Sequence, residues 1–174
     1  MTTKLIPVSA EERFRIWYIE PLDLLSKTEF GHGAILALMA IMPLYERVYE
    51  YLLSTKSVPD NRPLWVKNDL NLNSEDEAKL FWNVFRDGLC HTGSFYEESD
   101  KSKKNNWTLP KISLGVKHPN FPTFTKINNQ DVITINPWGF ISHVLAKYQG
   151  DLALLEYAPA PLLALHLLVE DTVN

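Results

Sequence analysis

Leu80, Phe81, Val84, Phe85 and Leu89 recur at steps of three and four, which lays one apolar stripe along a helix. Ser74-Glu75-Asp76-Glu77, just before it, has capping-box spacing, three acids suit the positive end of the helix dipole, and Gly93 supplies a stop. Ser9-Ala10-Glu11-Glu12 repeats the capping signal, and Phe14, Trp17 and Tyr18 follow at helical intervals. Pro21 lacks a backbone N–H and disfavours helix in Glu20, which predicts a break or kink before a short turn through Leu22, Leu24 and Leu25. After a connection at Gly31-His32-Gly33, Ala34 to Leu53 is apolar nearly all round and then striped by Leu44, Val48, Tyr51 and Leu52. It reads as the longest and most buried helix, kinked or restarted at Pro43. Ser54 to Asn73, with Pro59, Pro63 and four asparagines, reads as a connecting segment.

Beyond residue 101 the period changes. Ile112 to Val116 and Val132 to Ile135 read as strands, and Asn128-Asn129-Gln130-Asp131 as a turn between Phe124–Ile127 and the latter. Asn136-Pro137 joins an N-cap side chain to a proline at the first helical position, and Phe140, Val144, Leu145 and Tyr148 continue that helix towards Gly150. Pro159 and Pro161 divide the last apolar stretch, whose Leu162, Leu165, Leu168 and Val169 predict a closing helix. The expected fold is mainly α: a helical bundle over residues 1–174 as one domain, with a β-hairpin or small sheet inserted at about 101–135.

Hydrophobic residues at 45% and charged residues at 22% fit a folded chain rather than a disordered or fibrous one. Cys90 is the sole cysteine, so no intramolecular disulfide forms and a Cys-based zinc site lacks its ligands. Met1 to Ser9 has no apolar core of signal-peptide length, and the uncharged run Phe30 to Tyr45 is too short to span a bilayer. A reducing, cytoplasmic setting without membrane association is expected. The net charge of -4 is unevenly spread: Lys101, Lys103, Lys104, Lys111, Lys117 and Lys126 fall in a stretch with no acid, an expected basic limb on an acidic protein.

The run Phe85-Arg86-Asp87-Gly88-Leu89-Cys90-His91-Thr92-Gly93 carries the chemistry. In an α-helix Asp87 and His91, four apart, lie nearly one above the other, so the carboxylate can orient the imidazole. Arg86 and His91, five apart, diverge by about 140°, which one α-helix brings together poorly and two copies of the helix would relieve. Histidine exchanges a proton near neutral pH and arginine presents a fixed fork of donors to phosphate oxygens. Together they can cleave RNA without a metal: the imidazole assists attack by the ribose 2'-hydroxyl and the guanidinium stabilises the phosphorane, leaving a cyclic phosphate.

Arg86-Asp87, three further residues and His91 resemble the signature of the HEPN superfamily, helical bundles whose RNase members carry Arg, a polar residue and a later His. Gly88-Leu89 and His91-Thr92-Gly93 resemble the small, apolar ending common there, while the sheet insert departs from the simplest members. The resemblance implies a homodimer with two motif helices face to face, Arg86 and His91 as catalytic residues, Asp87 in the supporting polar position, RNA as substrate and a toxin–antitoxin or defence setting with an antitoxin protein as partner.

Other readings stand beside this one. Arg86, Asp87 and His91 also describe a solvated helix end that complements the dipole, and the chain is then a noncatalytic helical module binding a nucleotide, RNA or a protein. Lys101, Lys103, Lys104 and Trp107 are candidate RNA contacts, a basic and aromatic interleaving that can track a phosphate backbone and stack bases, or else a solvated loop. Cys90 reads as a small core residue before a nucleophile. His32, His118, His143 and His166 lack ligand partners at metal spacing, and no glycine-rich phosphate loop or nucleophile elbow is present, so no metal or cofactor is implied.

Overall fold

In the structure, a computed structural model, residues 3–7, 9–28, 33–90, 110–158 and 166–170 are described. The chain runs β1 (Thr3–Pro7), α1 (Ala10–Phe14), a first π-helical segment (Arg15–Ile19), α2 (Glu20–Ser26), α3 (Gly33–Ser54), α4 (Arg62–Asp69), α5 (Glu75–Trp82) and a second π-helical segment (Asn83–Leu89). It continues with β2 (Lys111–Leu114), β3 (Thr123–Ile127), β4 (Gln130–Ile135), α6 (Pro137–Tyr148), α7 (Leu152–Tyr157) and β5 (His166–Glu170). The architecture is mainly helical, with a small mixed sheet.

Local signals set most of these ends. Ser9 Oγ accepts from Glu12 N at 3.2 Å, and Ser74 Oγ from Glu77 N at 3.1 Å. The return arm of the second cap lands one residue early: Glu77 accepts the Asn73 N–H at 2.9 Å rather than that of Ser74. Asn136 Oδ1 accepts from Trp138 N and Gly139 N, while its Nδ2 donates to the Val116 carbonyl at 3.2 Å and to Asn120 Oδ1 at 3.3 Å. One side chain therefore caps α6 and ties down the loop after β2. A Cβ at Gly139 would collide with Asn120, so the approach needs glycine.

Four expectations are corrected. Pro21 does not end its helix: the π turn at Arg15–Ile19 precedes Glu20-Pro21, where a shifted hydrogen-bond ladder accommodates a residue that cannot donate, and α2 continues to Ser26. Pro43 does not restart α3, which is helical without interruption from Gly33 to Ser54. The segment read as a connection contains α4, capped by Asn61, whose side chain accepts from Leu64 N at 3.1 Å, with Pro63 in the first turn. The closing helix is not formed at Leu168 and Val169, which belong to β5 and pair antiparallel with Leu5 and Lys4 of β1. Leu162 and Leu165 lie outside the described residues, as does Gly93.

The sheet has order β2-β4-β3, with β2 parallel and β3 antiparallel to the central β4. Asn128 and Asn129, with φ of 51° and 60°, form the two-residue turn that the right-handed twist of a hairpin favours. Ile133 and Ile135 are fully buried and join the helical core around Leu38, Tyr45, Phe81 and Phe140. Among the described residues no helix is long and apolar enough to cross a membrane.

Phe140 has no exposure and meets Tyr45 and Phe81 edge-on, with ring centroids 5.3 and 5.6 Å apart. Phe140→Ala should destabilise the protein by about 3–5 kcal/mol, read as a lowered urea midpoint at unchanged m.

Candidate functional site

Arg86 and Asp87 lie in the second π-helical segment, where backbone bonds close from i to i+5. Phe81 of α5 and Phe85 and Leu89 of this segment are fully buried at four-residue steps. The Cys90 thiol lies 3.5 Å from the Phe85 carbonyl five residues back, and 3.8 Å from the Met39 carbonyl of α3. Pro43 brings no N–H to that Met39 carbonyl, so the thiol meets an acceptor that proline left available. Burial pushes the Cys90 pKa up; the Arg86 charge pulls against it, the Glu46 and Asp87 charges add to it, and the thiol stays above its ordinary value. A protonated thiol pinned between two carbonyls is a packing residue, not a nucleophile.

Glu46, on α3, holds Arg86: Nε and Nη2 donate to Glu46 Oε2 at 3.1 and 2.8 Å, and Nη1 reaches Asp87 Oδ1 at 3.4 Å. The side chains of Glu46 and Arg86 are 20% and 22% exposed, so the pair sits at the rim of the core. Burial alone would lower the arginine's pKa, but the two carboxylates raise it overall and keep it charged. One guanidinium thus faces two acids. His91 lies outside the described residues, as do Lys101, Lys103, Lys104 and Trp107. Over Asn83–Leu89 the helix that carries Arg86 and Asp87 is wound more widely than an α-helix.

A second polar cluster went unread in the sequence. The carboxylate of Asp69, at the end of α4, accepts from Tyr45 Oη at 2.8 Å, from His143 Nε2 at 2.9 Å and from Lys147 Nζ. Asp69 is 12% exposed, and the Phe121 ring stands edge-on to His143 at 4.9 Å. Burial would raise the Asp69 pKa, but the hydrogen bonds from His143, Lys147 and Tyr45 and the lysine charge hold it below its ordinary value. His143 and Lys147 are four apart on one face of α6, a signal visible in the sequence; Asp69, 74 residues before His143, is not. His118, also set aside, shares a 2.9 Å hydrogen bond with Ser113.

A cleft of about 380 Å3 between the first turn of α5 and the β3–β4 hairpin has Leu80, Phe124 and Val132 in its wall. Its acids are already engaged, Asp76 with Lys79, Glu77 with Asn73 and Asp131 with Lys126. Among the described residues no three His, Cys, Asp or Glu side chains converge as metal ligands.

No family model, curated protein or solved structure matches the chain. The chemistry of Arg86 and Asp69 is therefore read from their own surroundings.

Asp69→Ala should cost about 3 kcal/mol, because it strands two donors and a cation that are largely buried. The Asp69 pKa is lower folded than unfolded, so its stabilisation is present above the unfolded carboxylate value and is lost as pH falls through the folded one. Asp69→Asn should accordingly flatten the acid side of the stability–pH curve measured by thermal melting.

Proposed function

We propose that this chain is a HEPN-like helical protein acting as a metal-independent endoribonuclease. Arg86 binds the scissile phosphate, His91 transfers protons and Asp87 positions His91. Two motif helices meet in a homodimer, and Lys101, Lys103, Lys104 and Trp107 hold the RNA. A defence or toxin–antitoxin role, with an antitoxin protein as partner and a cytoplasmic location, goes with the HEPN resemblance.

The observation that carries this reading is the π winding of the helix in which the motif begins. With bonds closing from i to i+5, a turn takes roughly between four and five residues, so steps of four and of five fall on either side of a full turn. Asp87 and Arg86 are four and five residues before His91. A step of five lies nearer a full turn in a π winding than in an α-helix. The Cys90 thiol lies beside the Phe85 carbonyl, five residues back. Glu46 adds orientation, because two donors of the guanidinium fork converge on one oxygen.

A specific observation favours the second reading, a noncatalytic binding module: among the described residues Glu46 and Asp87 already hold the guanidinium, and a phosphate must compete with them. Activity separates the two. Purified protein in excess chelator should cut RNA to ends bearing a cyclic phosphate, and His91→Ala should lower the rate by about 10²–10⁴. Equal cleavage by the variant would mark a contaminant and leave the binding module.

Neutral substitution of Lys101, Lys103 and Lys104 together should weaken RNA binding and flatten its dependence on salt, by roughly 0.7 in the log–log slope for each phosphate no longer neutralised. An unchanged slope would remove these lysines from the interface.

A further inference from the structure

β3 is an edge strand: among the described residues it pairs with β4 on one side and with nothing on the other. The two-residue turn at Asn128 and Asn129 closes on Ile127 and Gln130, so the pairs that exchange ladder hydrogen bonds are Ile127–Gln130, Thr125–Val132 and Thr123–Thr134. Phe124 and Lys126, in between, turn their N–H and C=O groups to the open side. Among the described residues none of these four groups has a partner. A lysine is the usual guard of such an edge, but Lys126 leans to Asp131 of its own hairpin at 3.6 Å, and Ile127 beside it is 57% exposed.

The cleft of about 380 Å3 runs along this strand. Phe124, Thr125 and Lys126 line it from β3 and Asp76, Glu77 and Leu80 from α5, whereas β2 contributes nothing, so it lies on the β3 side of the sheet. A strand added antiparallel to the edge sets the side chains opposite Phe124 and Lys126 on their face of the sheet, which through Ile133 is the face that meets the helical core. Alternate side chains of the added strand therefore meet the cleft, an apolar one beside Phe124 and Leu80. Charge selects among such strands. Among the described residues the lining holds three carboxylates, those of Asp76, Glu77 and Asp131, against the one ammonium of Lys126. Glu77 there accepts from the amide groups of Asn73 and from no cation, and the pairs of Asp76 with Lys79 and of Asp131 with Lys126 are exposed ones that exchange partners at little cost.

We propose that the β3 edge and this cleft dock an extended segment of a protein partner, which adds antiparallel to β3 and sets an apolar and a basic side chain, two positions apart, towards the cleft. The backbone groups of Phe124 and Lys126 supply the hydrogen bonds, and the cleft selects the side chains. The site stands whether or not the protein cleaves RNA, since it uses none of Arg86, Asp87 or His91.

The test follows the amide N–H resonances of Phe124 and Lys126 in the full chain while a capped peptide of two Thr-Val-Thr-Lys repeats is added. Both should shift in a saturable way and exchange with solvent more slowly. The same peptide with glutamate for lysine, or with threonine for valine, should bind about tenfold more weakly. N-methylation of the valine and lysine amides, which face β3, should abolish binding, and N-methylation of the threonine amides, which face away, should spare it. Lys126→Pro removes one outward donor and leaves the ladder to β4 intact; it should weaken binding about tenfold even though it makes the rim more acidic. Unmoved amides, equal binding of the glutamate peptide, or equal loss from methylating either set would overturn the proposal. Slowed exchange at Phe124 and Lys126 on concentrating the protein alone would give the edge to a second copy and overturn it as well.

Discussion

Tyr45 is the residue on which the helical arrangement turns. It is fully buried in the middle of α3, its ring meets Trp65 of α4 at 4.8 Å and Trp82 of α5 at 6.3 Å, and Phe140 of α6 abuts it edge-on. Its hydroxyl would be an orphan in that core, and Asp69 supplies the acceptor. Burial and the Asp69 charge both push its pKa well up, so it stays a donor. The carboxylate then needs countercharge, which fixes Lys147 and His143 and with them the lie of α6 against α4. One buried phenol thus sets a chain of requirements through four helices.

The two charged clusters invert one another. Asp69 is a single carboxylate with three donors, one of them a lysine, and it is nearly closed to solvent. Among the described residues Arg86 is one cation between two carboxylates at the rim, where Asp87 keeps 37% of its exposure. The first satisfies itself and has nothing to offer a ligand. The second lies at the rim, where solvent reaches it. This asymmetry is why the rim cluster, and not the more elaborate buried one, is the place to look for chemistry.

Signals confined to a few residues were legible. Ser9, Ser74 and Asn136-Pro137 started helices as their spacing required, and Asn128-Asn129 turned the hairpin. α4 was hidden by composition, although Asn61 with Pro63 is nearly the same start signal as Asn136-Pro137. What stayed illegible depends on distant partners. The leucine spacing that read as a closing helix gives way in β5 to pairing with Thr3–Pro7 at the other end of the sequence, and Asp69 is joined to His143 only by the packing of α4 on α6. At the candidate site the sequence supplied Arg86 and Asp87 but neither Glu46, forty residues before Arg86, nor the winding of their helix.

That winding lies against the same core. The π segment opens just after Trp82 and runs through fully buried Phe85 and Leu89. Phe85 stacks on Phe81 at 4.9 Å, so the aromatic contact continues across the junction. Phe81, Phe85 and Leu89 follow one another at steps of four, which stay near one face in either winding. At the segment's end, Cys90 meets the Met39 carbonyl that Pro43 leaves without its usual donor. The proline in the central helix and the winding of its neighbour thus meet at the Cys90 thiol. The orientation of Arg86 follows from that winding and from Glu46, before any substrate is considered.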